Sequence, residues 1–381
     1  MRKEFVIGIL LLLVATACRE EELIYVPEQV EVAQPEFTDI EKMFVLCEGN
    51  MGTNKATLDY YDYGEGKYYR DAFPHFNPGT VKAMGDVGND LGIYGSKLYA
   101  VINCSNKVDV LDKQSLRKVG QIDIPNCRYI KFHGGFAYVT SYAGPVEINP
   151  DYTQRGYVAK VDTATFEVVA TCLVGFQPDE LEIVNDKIYV ANSGGYMVPN
   201  YENTISVIDL ATFTEQRRIP IAINLKSVCC DRRGILWITS RGDYYDTGSR
   251  IFAYDIIHDR MVKEFDCRVS SLWMDGDSLY VAAVEWSYVT AQNTKSFAII
   301  NTATMQVVTD HFITDGTEND ISIPYGVAVH PITKDIYVTD AKDYVSPGRL
   351  YCFGPDGQKK WDVRTGDIPG HFAFLGQETD K

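Results

Sequence analysis

The side chains of this sequence best suited to binding chemistry are aromatic and short polar groups gathered in long segments between strand-like runs. Rigid aromatic rings with a polar handle, set beside amide, carboxylate and guanidinium groups, suit a large ligand with both polar and apolar surface. Connections of a second type add Asn126, Arg128 and Asp179. Local packing is the alternative explanation for any single tyrosine. The candidate ligand-binding residues of the long segments are Tyr142, Tyr152, Tyr196, Tyr201, Arg241, Tyr244, Tyr245, Trp286, Tyr288 and Tyr344.

Signals for catalysis are weaker. The sequence has no HExxH, P-loop, GxSxG or zinc-type spacing. Of the six histidines, only His75 and His371 fall where they could approach the long segments, and neither has an obvious partner. The run Asp315–Asp320 carries oxygen ligands for Ca²⁺ but lacks the EF-hand pattern, which favours a solvated acidic loop. We therefore expect a protein that is not an enzyme, with no catalytic residues, metal or resident cofactor.

Seven short runs rich in β-branched and aromatic residues must position these side chains. The intervals between successive runs average about the period of a four-stranded propeller blade. The chain is therefore predicted to be all-β, a seven-bladed β-propeller with four antiparallel strands per blade, labelled A to D from the axis outward. The aromatic residues that mark the B strands are Phe44, Tyr99, Tyr138, Tyr189, Trp237, Tyr280 and Tyr337, and we expect them to be structural.

The ends of the chain predict how the ring closes. The first blade has B, C and D strands but no A strand, while the apolar run His371–Leu375 follows the last D strand. We predict that this run pairs with the N-terminal blade, because closure removes two exposed sheet edges. The propeller is expected to span residues 41–376, with a disordered tail at 377–381.

The connections between strands are strongly asymmetric in length. The A–B and C–D turns are tight and emerge on one face, here called the plain face. The B–C and D–A connections emerge on the other, here called the elaborated face, where function is expected to concentrate. The B–C connections are long in six of the seven blades, and run over Cys47–Thr57, Ser141–Gly156, Asn192–Asn203, Ser240–Arg250, Val284–Lys295 and Asp340–Arg349.

The N-terminus has the pattern of a targeting segment. Arg2 and Lys3 precede an apolar run that is too short to span a bilayer, followed by Ala15-Thr16-Ala17-Cys18. The small residues before Cys18 resemble a lipoprotein processing box, which predicts a signal peptide at 1–17 and lipidation of Cys18. An ordinary secretory signal with a chance cysteine is the alternative. Residues 18–40 are acidic and are expected to form a flexible tether.

The overall composition limits the partners. A formal charge of −16 without clustered Lys and Arg argues against nucleic-acid binding. Eight cysteines follow Cys18, and sequence does not reveal any disulfide pairing between them. Because several fall in or beside apolar strand runs, we expect structural thiols packed as small hydrophobic groups.

The strand repeats carry a family resemblance. YVTS, YVAN and YVTD, with their partners VID and IIN, resemble the YVTN/YncE-like propellers over Met43–Leu375. Together with the Cys18 box and the acidic residues 20–22, the chain resembles the BtuG-type surface lipoproteins of Bacteroidetes. That resemblance implies capture of cobalamin or a related corrinoid on one propeller face, and transfer to a BtuB-like, TonB-dependent outer-membrane transporter. It also implies an outer-membrane protein that faces the cell exterior and touches the membrane through its lipid anchor only.

Two other classes of function stay open at the level of sequence. A propeller with aromatic loops could bind a glycan or a protein, in which case a groove of stacked rings would cross its rim. A propeller hydrolase or lyase would instead need an acid–base or metal cluster at the axis.

Overall fold

The structure, a computed structural model, describes residues 26–36, 38–80, 83–287 and 292–376. Over these residues the chain forms seven antiparallel sheets of the predicted seven-bladed propeller. One short helix, α1, spans Phe73–Phe76, and a 3₁₀ turn spans Thr317–Asn319. None of the helices in the described ranges is long and apolar enough to cross a membrane.

Blade 1 contains strands from both ends of the described chain, and each of the other blades is one continuous stretch. The strands of blades 1 to 4 that precede the C-terminal strand are β1 Glu28–Glu31, β2 Ile40–Cys47, β3 Thr57–Asp62, β4 Lys67–Arg70, β5 Gly88–Tyr94, β6 Lys97–Ile102, β7 Lys107–Asp112, β8 Lys118–Asp123, β9 Cys127–His133, β10 Phe136–Ser141, β11 Tyr157–Asp162, β12 Val168–Leu173, β13 Pro178–Val184, β14 Lys187–Asn192, β15 Thr204–Asp209 and β16 Thr214–Pro220.

Blades 5 to 7 repeat the same order from the axis outward, and the last strand returns to blade 1. The strands are β17 Leu225–Cys230, β18 Ile235–Ser240, β19 Arg250–Asp255, β20 Arg260–Phe265, β21 Ser271–Asp275, β22 Ser278–Ser287, β23 Gln292–Asn301, β24 Gln306–Thr309, β25 Pro324–Val329, β26 Ile336–Asp340, β27 Pro347–Phe353, β28 Lys359–Asp367 and β29 Pro369–Gly376.

The core lies between neighbouring blades. The second and third strands of each blade are sandwiched by the adjacent sheets, so most side chains on both of their faces are buried, as in β14 and β15. At the first seam, Phe44 and Leu46 of blade 1 pack against Leu98 and Ala100 of blade 2. The seven marker aromatics are structural as expected, since six are buried and Tyr280 is half-buried.

The ring closes as predicted. β29 pairs antiparallel with β2, with Phe44 opposite Ala373 and Leu46 opposite His371. The C-terminal strand therefore supplies the innermost strand of blade 1 and joins the two ends of the chain within one sheet.

Two predicted connections differ from the structure. Within the segment expected to be a flexible tether, Glu28–Glu31 instead forms β1, a fifth strand on the outer edge of blade 1. An outermost strand has unpaired backbone groups, and a preceding segment can satisfy them. In blade 6, much of the expected long loop is regular structure, because β22 and β23 continue their pairing as far as Ser287 opposite Gln292.

Candidate functional site

The mouth of the axial channel on the elaborated face contains a buried carboxylate held by two arginines. Asp179, at the start of β13, is fully buried. It accepts hydrogen bonds from the Tyr142 hydroxyl at 2.7 Å, from Arg241 Nη1 at 2.7 Å and from Arg128 Nε at 3.2 Å. Blades 3, 4 and 5 thus contribute one charge each. We call these four residues the arginine–aspartate cluster.

The cluster pairs one carboxylate with two guanidinium groups. Burial alone would raise the pKa of Asp179, but Arg241 and Arg128 outweigh burial and lower it. Burial works against the charged form of Arg128, yet Tyr142 and Asp179 keep its pKa well above the usual value. The Arg128 guanidinium also lies 4.7 Å from the centre of the Tyr142 ring, within cation–π range. Two guanidinium groups therefore face one carboxylate.

The opposite side of the mouth holds a second polar group. Glu48 accepts a hydrogen bond from the Tyr325 hydroxyl at 2.9 Å and lies 3.0 Å from Nε2 of His371. The ring of Tyr325 meets the ring of Tyr344 at a centroid distance of 6.0 Å. His371, which had no obvious partner in sequence, is thus paired with a carboxylate from a distant part of the chain.

Further charged residues follow along the innermost strands. Nζ of Lys131 lies 3.6 Å from Oε2 of Glu182, and the Ser227 hydroxyl donates a hydrogen bond to Oε1 of Glu180 at 2.8 Å. Burial raises the pKa of Glu180 and lowers the pKa of Lys226, whose ammonium donates to a backbone carbonyl oxygen at 2.6 Å. The sequence analysis did not identify these groups. Charged residues within otherwise apolar innermost strands could have predicted polar groups along the axis.

The tyrosines proposed for binding occupy three different environments. Tyr244, Tyr245 and Tyr344 are exposed by 59%, 77% and 40%, so their rings are available on the elaborated face. Tyr196 and Tyr201 are half-buried. Of the candidate tyrosines that the structure describes, the remaining two, Tyr142 and Tyr152, are buried.

The two buried tyrosines have structural contacts that explain their position. The hydroxyl of Tyr142 is occupied by Asp179, so this residue positions the cluster. The ring of Tyr152 packs beside Gly144 inside its own loop, and local packing accounts for it.

The remaining candidates are placed as follows. Asn126 is buried and donates from Nδ2 to the carbonyl oxygen of Gly144 at 2.7 Å, so it holds a loop rather than facing solvent. Trp286 falls within β22, opposite Asn293, and not in a loop. Tyr288 and Cys18 lie outside the described residues.

Thiols and acidic groups show no further cluster over the part of the chain that the structure describes. The eight cysteines from Cys47 to Cys352 are free thiols, four of them buried. Within the same residues, no three His, Cys, Asp or Glu side chains are grouped so that they could hold a metal ion.

Comparisons with known proteins give a family and a fold. A family model described as "Domain of unknown function (DUF5074)" matches residues 41–353. No curated protein matches the sequence. Among solved structures, a hypothetical selenium-binding protein from Sulfolobus tokodaii is similar, with a TM-score of 0.64 and 11% identity, over 90% of this chain and 95% of that one.

Two further solved structures have the same architecture. The periplasmic gluconolactonase of Pseudomonas aeruginosa has a TM-score of 0.60 and 12% identity, over 88% of this chain and 100% of that one. A quinonprotein alcohol dehydrogenase-like protein from Bacteroides thetaiotaomicron has a TM-score of 0.57 and 11% identity, over 89% and 79%. At these identities the likeness shows the fold alone, because propellers support many functions.

Proposed function

The chain belongs to the DUF5074 family, whose function is unknown, and from that premise we propose that it is a lipid-anchored surface protein that captures a corrinoid such as cobalamin. Binding takes place at the axial mouth of the elaborated face, and the ligand passes to a TonB-dependent outer-membrane transporter. The observation that carries this proposal is the combination of exposed tyrosines with the two guanidinium groups of the arginine–aspartate cluster on one face.

The chemistry of a corrinoid matches this surface. Cobalamin is wide and flat, has amides around its rim, and carries a phosphodiester. Exposed rings such as Tyr244 and Tyr245 offer apolar contact together with a hydroxyl for the amides. Arg128 and Arg241 share the single carboxylate of Asp179 within the cluster. Guanidinium groups also pair well with phosphate oxygens, such as those of the phosphodiester.

Capture without turnover is favoured by the pairing of the ionisable groups at the mouth. Asp179 is held by Arg128 and Arg241, and Glu48 is held by Tyr325 and His371. A general base works best with a pKa near the operating pH, whereas the two guanidinium groups lower the pKa of Asp179 and make it a weak base. A rigid ring of blades that presents fixed groups lowers the entropy cost of binding instead.

The direction of β1 supports transfer at a membrane. β4 runs from the plain face to the elaborated face, and β1 is antiparallel to it, with Glu28 opposite Arg70 at the elaborated end. The chain that precedes Glu28 therefore leaves β1 at the elaborated face. If Cys18 is lipidated, as we propose, the ligand-binding face is the one tethered towards the bilayer.

The direct test is a titration of residues 19–381, which retain every described strand, with cyanocobalamin by calorimetry and visible absorbance. We expect saturable one-to-one binding. Replacing both Tyr244 and Tyr245 by alanine, or Arg241 by glutamine, should weaken it by about tenfold or more, equivalent to about 1.4 kcal/mol. Ile257→Ala, an exposed apolar change on the plain face, is the matched control and should leave the affinity unchanged.

Absence of heat and of spectral change at high micromolar ligand would refute corrinoid capture. The next measurement would then be a glycan array, since a glycan- or protein-binding surface is the remaining use of exposed aromatic loops. Equal losses in the Ile257→Ala control and the tyrosine variant would show that binding does not take place on the elaborated face.

A further inference from the structure

A cleft of about 440 Å³ lies on the rim of the propeller and is lined by residues other than those placed at the axial mouth. It opens at the seam where blade 7 meets blade 1, between β4 and β28, the fourth strands of these two blades, and the start of β27. Its walls come from the elaborated ends of these strands and from the first B–C loop. Its volume is within the range of small-molecule sites. Its lining includes Asn54, Lys55, Thr57, Arg70, Arg364 and Asp367.

Most of the charged groups around the cleft are already paired. Nζ of Lys55 lies 3.6 Å from Oδ2 of Asp367, and Arg70 forms an ion pair with Glu28 of β1. Arg364 differs from them, because it is exposed and has no ion pair with any described residue. Its neighbour Asp362 is taken by Arg349 and Lys359. Asp71 is a second carboxylate in the lining. Arg364 is therefore the guanidinium group of the cleft that has no ion pair among the described residues.

The cleft also has a hydroxyl that lacks a strong partner. The Oγ1 atom of Thr57 is buried, and the thiol of Cys47 beside it is only a weak hydrogen-bonding group. Leaving a buried hydroxyl without a good hydrogen-bond partner is unfavourable, so such groups usually bond a ligand or water. Gly366 leaves room beside it, since a Cβ at this position would fall 2.2 Å from the same oxygen.

Together these groups indicate the class of ligand. A free guanidinium fork recognises a carboxylate through two parallel hydrogen bonds. The Thr57 hydroxyl, the Asn54 amide and the carboxylate of Asp367 can bond hydroxyl groups of the same molecule. We propose that this rim cleft is a second binding site, distinct from the axial mouth, for a monosaccharide-sized hydroxy acid such as a uronic acid.

The experiment is a calorimetric titration of residues 19–381 with glucuronate, glucose and inorganic phosphate as the three probes. Glucuronate should bind with saturation, while glucose, which lacks the carboxylate, and phosphate, which lacks the hydroxyl array, should each bind about tenfold more weakly or less. Arg364→Ala and Thr57→Val should each weaken glucuronate binding. The loss on Arg364→Ala should be about tenfold or greater.

Matched controls separate this site from general effects. Arg260→Ala removes an exposed arginine from another outermost strand, β20, and should leave glucuronate binding unchanged. The thermal midpoint of each variant checks that it is folded, and Thr57→Val gives an independent test if Arg364→Ala proves unstable. Because the axial mouth is a separate site, Arg364→Ala should not alter the response to cyanocobalamin.

Three results would overturn the proposal. One is a failure of glucuronate to saturate the protein at about 10 mM, which corresponds to negligible affinity. Another is an equal affinity for glucuronate in the Arg364→Ala and Arg260→Ala variants, which would place binding elsewhere. The third is binding of glucose or phosphate as tight as that of glucuronate, which would show that the cleft is not selective for a hydroxy acid.

Discussion

Asp59 and Asp179 are both buried carboxylates, yet their pKa values move in opposite directions. Asp179 faces two guanidinium groups, which lower its pKa. Asp59 accepts hydrogen bonds from the Tyr68 hydroxyl and from the backbone N–H groups of Asp71 and Gly366, all uncharged donors. Burial therefore dominates and raises the pKa of Asp59 from 3.8 to about 6. The charge of the partner, rather than the depth of burial, decides the direction.

This difference predicts how Asp59 couples stability to pH. Between its unfolded pKa and its folded pKa of about 6, the folded protein binds the proton more tightly than the unfolded chain. The contribution of Asp59 to the free energy of unfolding should therefore fall as pH rises through this window, by about 3 kcal/mol in total. Urea unfolding of the wild type and of Asp59→Asn from about pH 4 to pH 7 measures the difference in slope.

Asp259 is the matched control, because its pKa is lowered on folding whereas the pKa of Asp59 is raised. Arg217 and Tyr254 donate hydrogen bonds to the exposed Asp259 and lower its pKa to about 2. Its stabilisation is present above the unfolded pKa and is lost as pH falls, so Asp259→Asn should alter the acidic limb in the other direction. If Asp59→Asn retained the full wild-type slope, the assignment of that slope to Asp59 would be wrong.

Among the elements, β29 is the strand that closes the ring. Its Leu375 is almost fully buried, and Phe372 and Ala373 are less than a tenth exposed. They pack into the seams on both sides of blade 1. The strand also occupies the edge of β2 that would otherwise be exposed at the centre of the molecule.

Deletion of residues 369–381 should therefore abolish cooperative folding and not merely lower the melting temperature. The deletion loses a full ladder of hydrogen bonds and several buried apolar side chains, each worth about 1.5 to 3 kcal/mol, out of a typical total of about 5 to 15 kcal/mol. Calorimetric or circular-dichroism melts measure the outcome. Deletion of residues 377–381 alone serves as the control and should leave the transition near its wild-type midpoint. A sharp transition in the longer deletion would contradict the proposed role of β29.

For the whole molecule, β1 gives the propeller a defined polarity relative to its N-terminus. Its four residues pair with β4 in a fixed register, so the preceding chain departs at the end of Glu28 and Arg70. From Cys18 to Glu28 the chain can extend no more than about 35 Å. A lipid on Cys18 would therefore hold the elaborated rim close to the bilayer surface.

This polarity can be measured on vesicles that carry the lipidated protein. A fluorophore introduced as a non-natural amino acid at position 245, on the elaborated face, should be quenched by labelled lipid headgroups more strongly than one at position 257, on the plain face. A Cys18→Ala variant should remain unattached and show no quenching at either position. Stronger quenching from position 257 would mean that the plain face is turned to the membrane.

Much of the architecture follows from local patterns that are readable in sequence. Strand-forming runs at a regular period predicted the seven blades, and the missing first A strand predicted closure by the C-terminal run. Both predictions were possible because every strand needs a backbone hydrogen-bonding partner, whatever its side chains contact. Short turns and long loops separated the two faces for the same reason. The aromatic composition of the loops predicted ligand-binding side chains on the elaborated face, but not which rings remain exposed.

The sites themselves depend on contacts between residues that are distant along the chain. Arg128, Asp179 and Arg241 belong to three blades, and Glu48 meets His371 only because the ring closes. The acidic composition of residues 18–40 predicted a solvated tether, but Glu28–Glu31 pairs with β4 instead. The sequence by itself therefore determined the repeat, the closure and the faces of this protein. The tertiary structure alone decided which charges are paired and which are left free, because that depends on the packing of one blade against another.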